Sequence, residues 1–117
     1  ACGTLKFYER TEEELQRVFD NCCMSDVTTM MNGVLFRCPF AANATNLKAV
    51  PYMEDEVINL NHNITDKDSL KKSIKNFNKS KKPLTACSYC GGRDYNSEII
   101  KPAIQTKKPL GYIKIEK

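Results

Sequence analysis

Tryptophan is absent from the 117 residues, and histidine occurs once, at His62. One imidazole excludes a metal site built on several histidines, and no Ser-His-Asp arrangement is discernible around it. His62 sits in the polar stretch Asn61-His62-Asn63, where a solvent-exposed loop residue is expected. Glycine and proline are sparse, five of each, so no low-complexity linker is present. Gly91-Gly92 lacks the spacing of a phosphate-binding loop. No apolar run approaches the roughly 20 residues of a membrane span. No secretory leader is visible either, because Lys6 and the acids between Glu9 and Glu14 occupy the place of its apolar stretch. Arginines are few, and no basic run is interleaved with stacking aromatics, which disfavours nucleic-acid binding. Paired-carboxylate chemistry has no support, since Glu54-Asp55-Glu56 reads as a surface acidic run. We expect no catalytic residue in this chain. There is no internal repeat. The chain opens Ala-Cys-Gly rather than with Met, so a chain cut from a longer protein, or a processed one, is expected.

What is present is ordinary globular composition, 41% hydrophobic and 27% charged, at a length that suits one domain. The net charge of +4 comes mainly from late lysines, at Lys67, Lys71, Lys72, Lys75, Lys79, Lys81 and Lys82 and again in the tail. Such a run reads first as a solvated helix face. Cysteine is the conspicuous excess: Cys2, Cys22, Cys23, Cys38, Cys87 and Cys90. An even count in a short chain also suits a disulfide framework. Asn-x-Ser/Thr triplets at Asn43, Asn63 and Asn78 would then be glycosylation sites of a secreted binding protein. Without a leader the reducing-compartment reading leads, and the expected location is cytoplasmic. There, clustered cysteines serve as metal ligands or redox groups.

The pattern divides into a lead-in over 1–10, a cysteine-rich domain over 11–98 and an extended basic tail over 99–117. Residues 4–9 alternate weakly, as a short strand would. Thr11-Glu12-Glu13-Glu14 is a capping box opening a helix. Leu15, Val18, Phe19 and Cys22 then share one face, which turns Cys22 toward the core and leaves Cys23 about 100° further round. Asn32-Gly33 is a hairpin turn between strands over 27–31 and 34–38, and Pro39 ends the second. Residues 40–50 read as a loop or short helix, and 56–60 as a strand. A second capped helix begins near Thr65, with Leu70, Ile74 and Phe77 on one face, and stops before Pro83. In the tail, Tyr112, Ile113 and Ile115 suit an edge strand or a partner surface. The expected class is α+β, a small hairpin with helices.

Cys87-x-x-Cys90 followed by Gly91-Gly92 is the most informative local motif. Two thiolates at this spacing grip one metal centre, and the glycines allow the sharp turn that aims N–H groups at sulfur. The pair alone suits zinc, an iron–sulfur cluster or a redox dithiol. Gly-Gly-Arg-Asp is a poor helix start, which counts against the dithiol. A hairpin returns its second strand beside its first, so Cys38 ends near Cys22 or Cys23. Helical phase favours Cys22 of the two. Four thiolates from separate segments then close on one site.

The linked pattern Cys22-x10-Gly33-x4-Cys38, with Cys87-x2-Cys90 much later, resembles the auxiliary-cluster region of radical S-adenosylmethionine (SAM) enzymes. The likeness is to the four-cysteine Twitch version of the SPASM domain. The stretches NGVLFRCPFAANA and CSYCGGRDYN resemble members associated with polysaccharide biosynthesis. The resemblance implies a Twitch/SPASM-like fold and a 4Fe–4S cluster on Cys22 (or Cys23), Cys38, Cys87 and Cys90. It implies a radical SAM barrel domain of the same parent protein as partner, with no membrane partner. The Cys-x3-Cys-x2-Cys motif of the catalytic cluster is absent, so this chain alone is not expected to cleave SAM. The cluster's role would be electron transfer or substrate-side structural support, with Arg37 and Arg93 as candidate counter-charges or simple surface residues. A structural zinc module is the alternative, because zinc accepts the same four thiolates.

Overall fold

A computed structural model describes residues 5–62, 66–93, 102 and 105–108. The expected edge strand around Tyr112, Ile113 and Ile115 and the triplet at Asn63 lie outside the described residues, as does most of the tail. The described chain is α+β. Its order is α1 (Glu12–Asp20), β1 (Thr29–Met31), β2 (Val34–Phe36), α2 (Pro39–Asn46), β3 (Val57–Asn59) and α3 (Lys67–Lys79). Two 3-10 turns, Glu54–Glu56 and Thr85–Tyr89, complete it.

Helix α1 begins where its capping box places it. Thr11 Oγ1 accepts the Glu14 N–H at 3.2 Å, and Glu14 Oε2 accepts the Thr11 N–H at 2.8 Å. Three acids in the first turn favour the positive end of the helix dipole. The helix stops at Asp20 with Asn21 as its C-cap. Cys22 therefore lies in the turn beyond it, its N–H donating to Phe19 O at 3.1 Å.

The hairpin forms at Asn32-Gly33, with positive φ of 53° and 75° and Met31 opposite Val34. Both angles suit the two-residue turn that matches strand twist. The strands are shorter than the expected 27–31 and 34–38. β3 pairs antiparallel with β2, giving the sheet order β1-β2-β3. Residues 5–9, expected as a strand, run without a ladder partner; the Tyr8 N–H donates instead to Ser88 O at 2.7 Å. A lone bond to a helical turn cannot build a strand, which needs a neighbouring strand's alternating groups.

Pro39 both ends β2 and opens α2, a role its fixed φ and missing N–H suit. The Ala-rich sequence of α2 lets Ala41, Ala42 and Ala44 approach the sheet closely. They form the core with Val34, Phe36, Val50, Leu84 and Ala86. Among the described residues no large side chain is fully buried, so this is a thin core. Asp66 caps α3, accepting the N–H groups of Asp68 and Ser69. Leu70, Ile74 and Phe77 on α3 are half-buried. No helix among the described residues is long and apolar enough to cross a membrane.

A Cβ at Gly33 would fall on the Asn61 side-chain amide, which lies over the turn and donates to Asn32 O at 2.8 Å. Gly33→Ala is expected to destabilise the fold by about 1–3 kcal/mol, read as a lowered midpoint in urea unfolding.

Candidate metal centre

Each cysteine of the site is presented by a different local device. Cys22 follows the end of α1, and its Sγ accepts the Met24 N–H at 3.4 Å. Cys38 is the N-cap of α2, and its Sγ accepts the Ala41 N–H at 3.2 Å. A sulfur there takes the place of a capping oxygen and faces the positive end of the helix. Cys87 lies within the turn Thr85–Tyr89, and Cys90 closes it, donating its N–H to Cys87 O at 3.4 Å.

The lead-in holds that last turn in place. The Arg10 guanidinium donates to Cys87 O at 2.7 Å and to Cys90 O at 2.8 Å, and lies 4.4 Å from the centre of the Tyr8 ring. Phe7 meets Tyr89 edge to face at 5.3 Å. From the other side, Glu56 Oε1 accepts both the N–H and the hydroxyl of Thr85 at 2.8 Å. Glu56 is thus a clamp on the turn that carries Cys87, and not the surface acid expected from its neighbours. Arg10 and Glu56 carry no local sequence signal, because their partners lie 77 and 29 residues away.

These elements bring Cys22, Cys38, Cys87 and Cys90 to the wall of one pocket, with about 560 Å³ of empty space, part of it open to solvent. Val18, Phe19, Phe40 and Leu84 are among its apolar walls. Cys23 is exposed and does not line it; its N–H donates to Arg93 O at 3.1 Å. Of the two adjacent candidates, the pocket therefore takes Cys22. All five described cysteines are free thiols. Among the described residues no group of three or more His, Cys, Asp or Glu side chains is set to hold a metal ion. His62 is an exposed loop residue away from this pocket.

No protein family, curated protein or solved structure matches this chain. What the site can do follows from its own side chains.

Burial raises the Cys87 thiol from an ordinary 9.0 to about 11, opposed by a backbone hydrogen bond at Leu84 and helped by the nearby Cys38, Cys90 and Cys22. Cys38 is raised for the same first reason, with the Ala41 and Phe40 backbone bonds working against it and Cys22 and Cys90 adding to it. Arg37 and Arg93 also line the pocket. Arg37 is buried, at 6% exposure, and among the described residues bonds only to carbonyl oxygens, those of Phe77, Ser80 and Ser25. The one ion pair among the described residues is Lys82 with Asp55, on the surface. Two buried thiols that resist ionisation, Cys38 and Cys87, and a buried cation with no carboxylate among its described hydrogen-bond partners are complementary. Binding a positive centre would ionise the thiols, and the resulting thiolates would answer the guanidinium.

Two outcomes follow. A thiol whose pKa is higher in the folded than in the unfolded chain favours folding while protonated, and that advantage disappears as pH rises. The metal-free protein is therefore expected to lose thermal stability progressively between pH 9 and about 11, measured by circular dichroism melts across that range. Glu56→Ala is expected to cost about 1.5–3 kcal/mol, the usual worth of charge-assisted bonds, in denaturant unfolding of the same protein.

Proposed function

We propose that this chain binds an iron–sulfur cluster of the 4Fe–4S type through Cys22, Cys38, Cys87 and Cys90. In this reading it is the auxiliary-cluster part of a radical SAM enzyme. The observation that carries the proposal is the meeting of four cysteines, from segments far apart in sequence, around one apolar pocket that also holds a buried guanidinium. When bound, the cluster would supply one-electron chemistry or rigid support beside a substrate.

The donor set fits this group. Thiolates are the ligands of such clusters, and N–H···S bonds and burial tune them. The Met24 and Ala41 N–H groups already point at Cys22 and Cys38. A zinc ion at about 2.3 Å from each sulfur would need all four sulfurs within roughly 4 Å of one another. A polynuclear cluster takes one thiolate on each of several irons and so tolerates a wider ring of sulfurs than a single ion does. The free thiols also favour a reducing compartment over a secreted, disulfide-linked role, so a cytoplasmic location belongs to this reading. The catalytic barrel of the parent enzyme is its proposed partner.

The thin core adds a physical reason. A domain that buries so few large side chains gains much of its stability from a bound centre. The test is anaerobic reconstitution with iron and sulfide. About four irons and four sulfides per chain are expected, with a brown absorbance that bleaches with dithionite. Cys38→Ala should lose that absorbance, and Cys23→Ala should keep it. Colourless protein carrying one zinc per chain and refusing iron would sink the cluster reading in favour of a structural zinc module.

A further inference from the structure

We infer that Arg37 is the fixed positive charge that sets the reduction potential of this site, an inference that rests on the cluster reading above. Arg37 immediately precedes Cys38, between the end of β2 and the start of α2. Its guanidinium reaches three segments at once: Ser25 in the loop after Cys22, and Phe77 and Ser80 at the C-terminal end of α3. It also lies 5.9 Å from the Phe19 ring centre and 5.6 Å from that of Phe77. Among the described residues every hydrogen-bonding partner is a carbonyl. Carbonyls satisfy its N–H groups but do not cancel its charge; the α3 terminus offers only about half an elementary charge of opposite sign. Arg37 lines the pocket of the four thiols, and also two clefts that hold Glu56 and, in one of them, Asp55; neither acid is among its described hydrogen-bond or ion-pair partners, so part of its positive field reaches the thiols.

A thiolate-ligated cluster is anionic, and reduction by one electron adds a negative charge without requiring a proton. The electron comes from a low-potential one-electron donor, dithionite in the experiment below. A cation buried in the same apolar wall stabilises the reduced form more than the oxidised form, and so raises the potential. Arginine suits the task because it stays charged when buried and its planar fork spans several carbonyls. Arg93 lines the pocket too but is exposed, where water screens it. Arg10 is a positioning residue, spent on the carbonyls of Cys87 and Cys90.

The test is a redox titration of reconstituted wild-type, R37Q and R37K proteins, with folding checked by circular dichroism. R37Q keeps amide donors but removes the charge. It is expected to shift the one-electron equilibrium about tenfold toward the oxidised form, a fall of about 59 mV. R37K should hold the wild-type potential more closely while melting at a lower temperature. A loaded R37Q protein with unchanged potential and reduced stability would make Arg37 purely architectural and overturn the inference alone. Should R37Q fail to fold, pulsed electron paramagnetic resonance on reduced protein containing isotope-labelled arginine decides. A guanidinium nitrogen coupling is expected that persists in R10K and R93K and disappears in R37K; no such coupling overturns the inference. Wild-type protein that takes up no iron and sulfide defeats the functional reading and this inference together.

Discussion

Sulfur in an apolar wall prefers to stay protonated, and a guanidinium in the same wall prefers an anion. The structure holds both preferences unsatisfied side by side. Burial pushes the Cys38 and Cys87 thiols upward, while the described hydrogen-bond partners of Arg37 are all carbonyls, with two aromatic rings beside it. A positive centre held by the thiols would relieve the first, and the thiolates it creates would relieve the second. The rest of the molecule is arranged to keep these groups together.

That arrangement depends on long-range ties more than on a large core. Alanines on α2 allow the helix to sit close to the sheet, which brings Cys38 to the pocket at the helix N-terminus. Arg37 joins the loop of Cys22 to the end of α3. Arg10 and Glu56 hold the turn of Cys87 and Cys90 from two sides. Each tie uses a charged side chain on backbone or hydroxyl groups, interactions that are stronger than neutral hydrogen bonds. Residues 7–10 of the lead-in are consequently part of the site, because Phe7, Tyr8 and Arg10 all meet the Cys87–Cys90 turn.

The hairpin serves the same end. Asn32 and Gly33 reverse the chain so that β2 returns beside β1, and its continuation through Arg37 and Cys38 comes back toward the loop that holds Cys22. The turn after the third strand lays the Asn61 amide over the hairpin turn, and Glu56 stands just before that strand. The central strand and the β3 edge of the small sheet thereby lead to residues that act on the pocket or on the turn that shapes it.

Local chemistry was legible from the residues alone. The capping box at Thr11, the Asn32-Gly33 turn, the Pro39 strand stop and the amphipathic run from Leu70 to Phe77 depend on neighbours within a few positions. So does the choice of Cys22, although the helix ends short of it and a following turn sets its direction. The weak alternation over 4–9 misled, because a strand exists only if another strand lies alongside. Arg10, Arg37 and Glu56 acquired their roles from partners dozens of residues away. Spacing along a chain specifies caps and turns, since those forces are short in range; which buried charges face which sulfurs is decided only when the segments pack together.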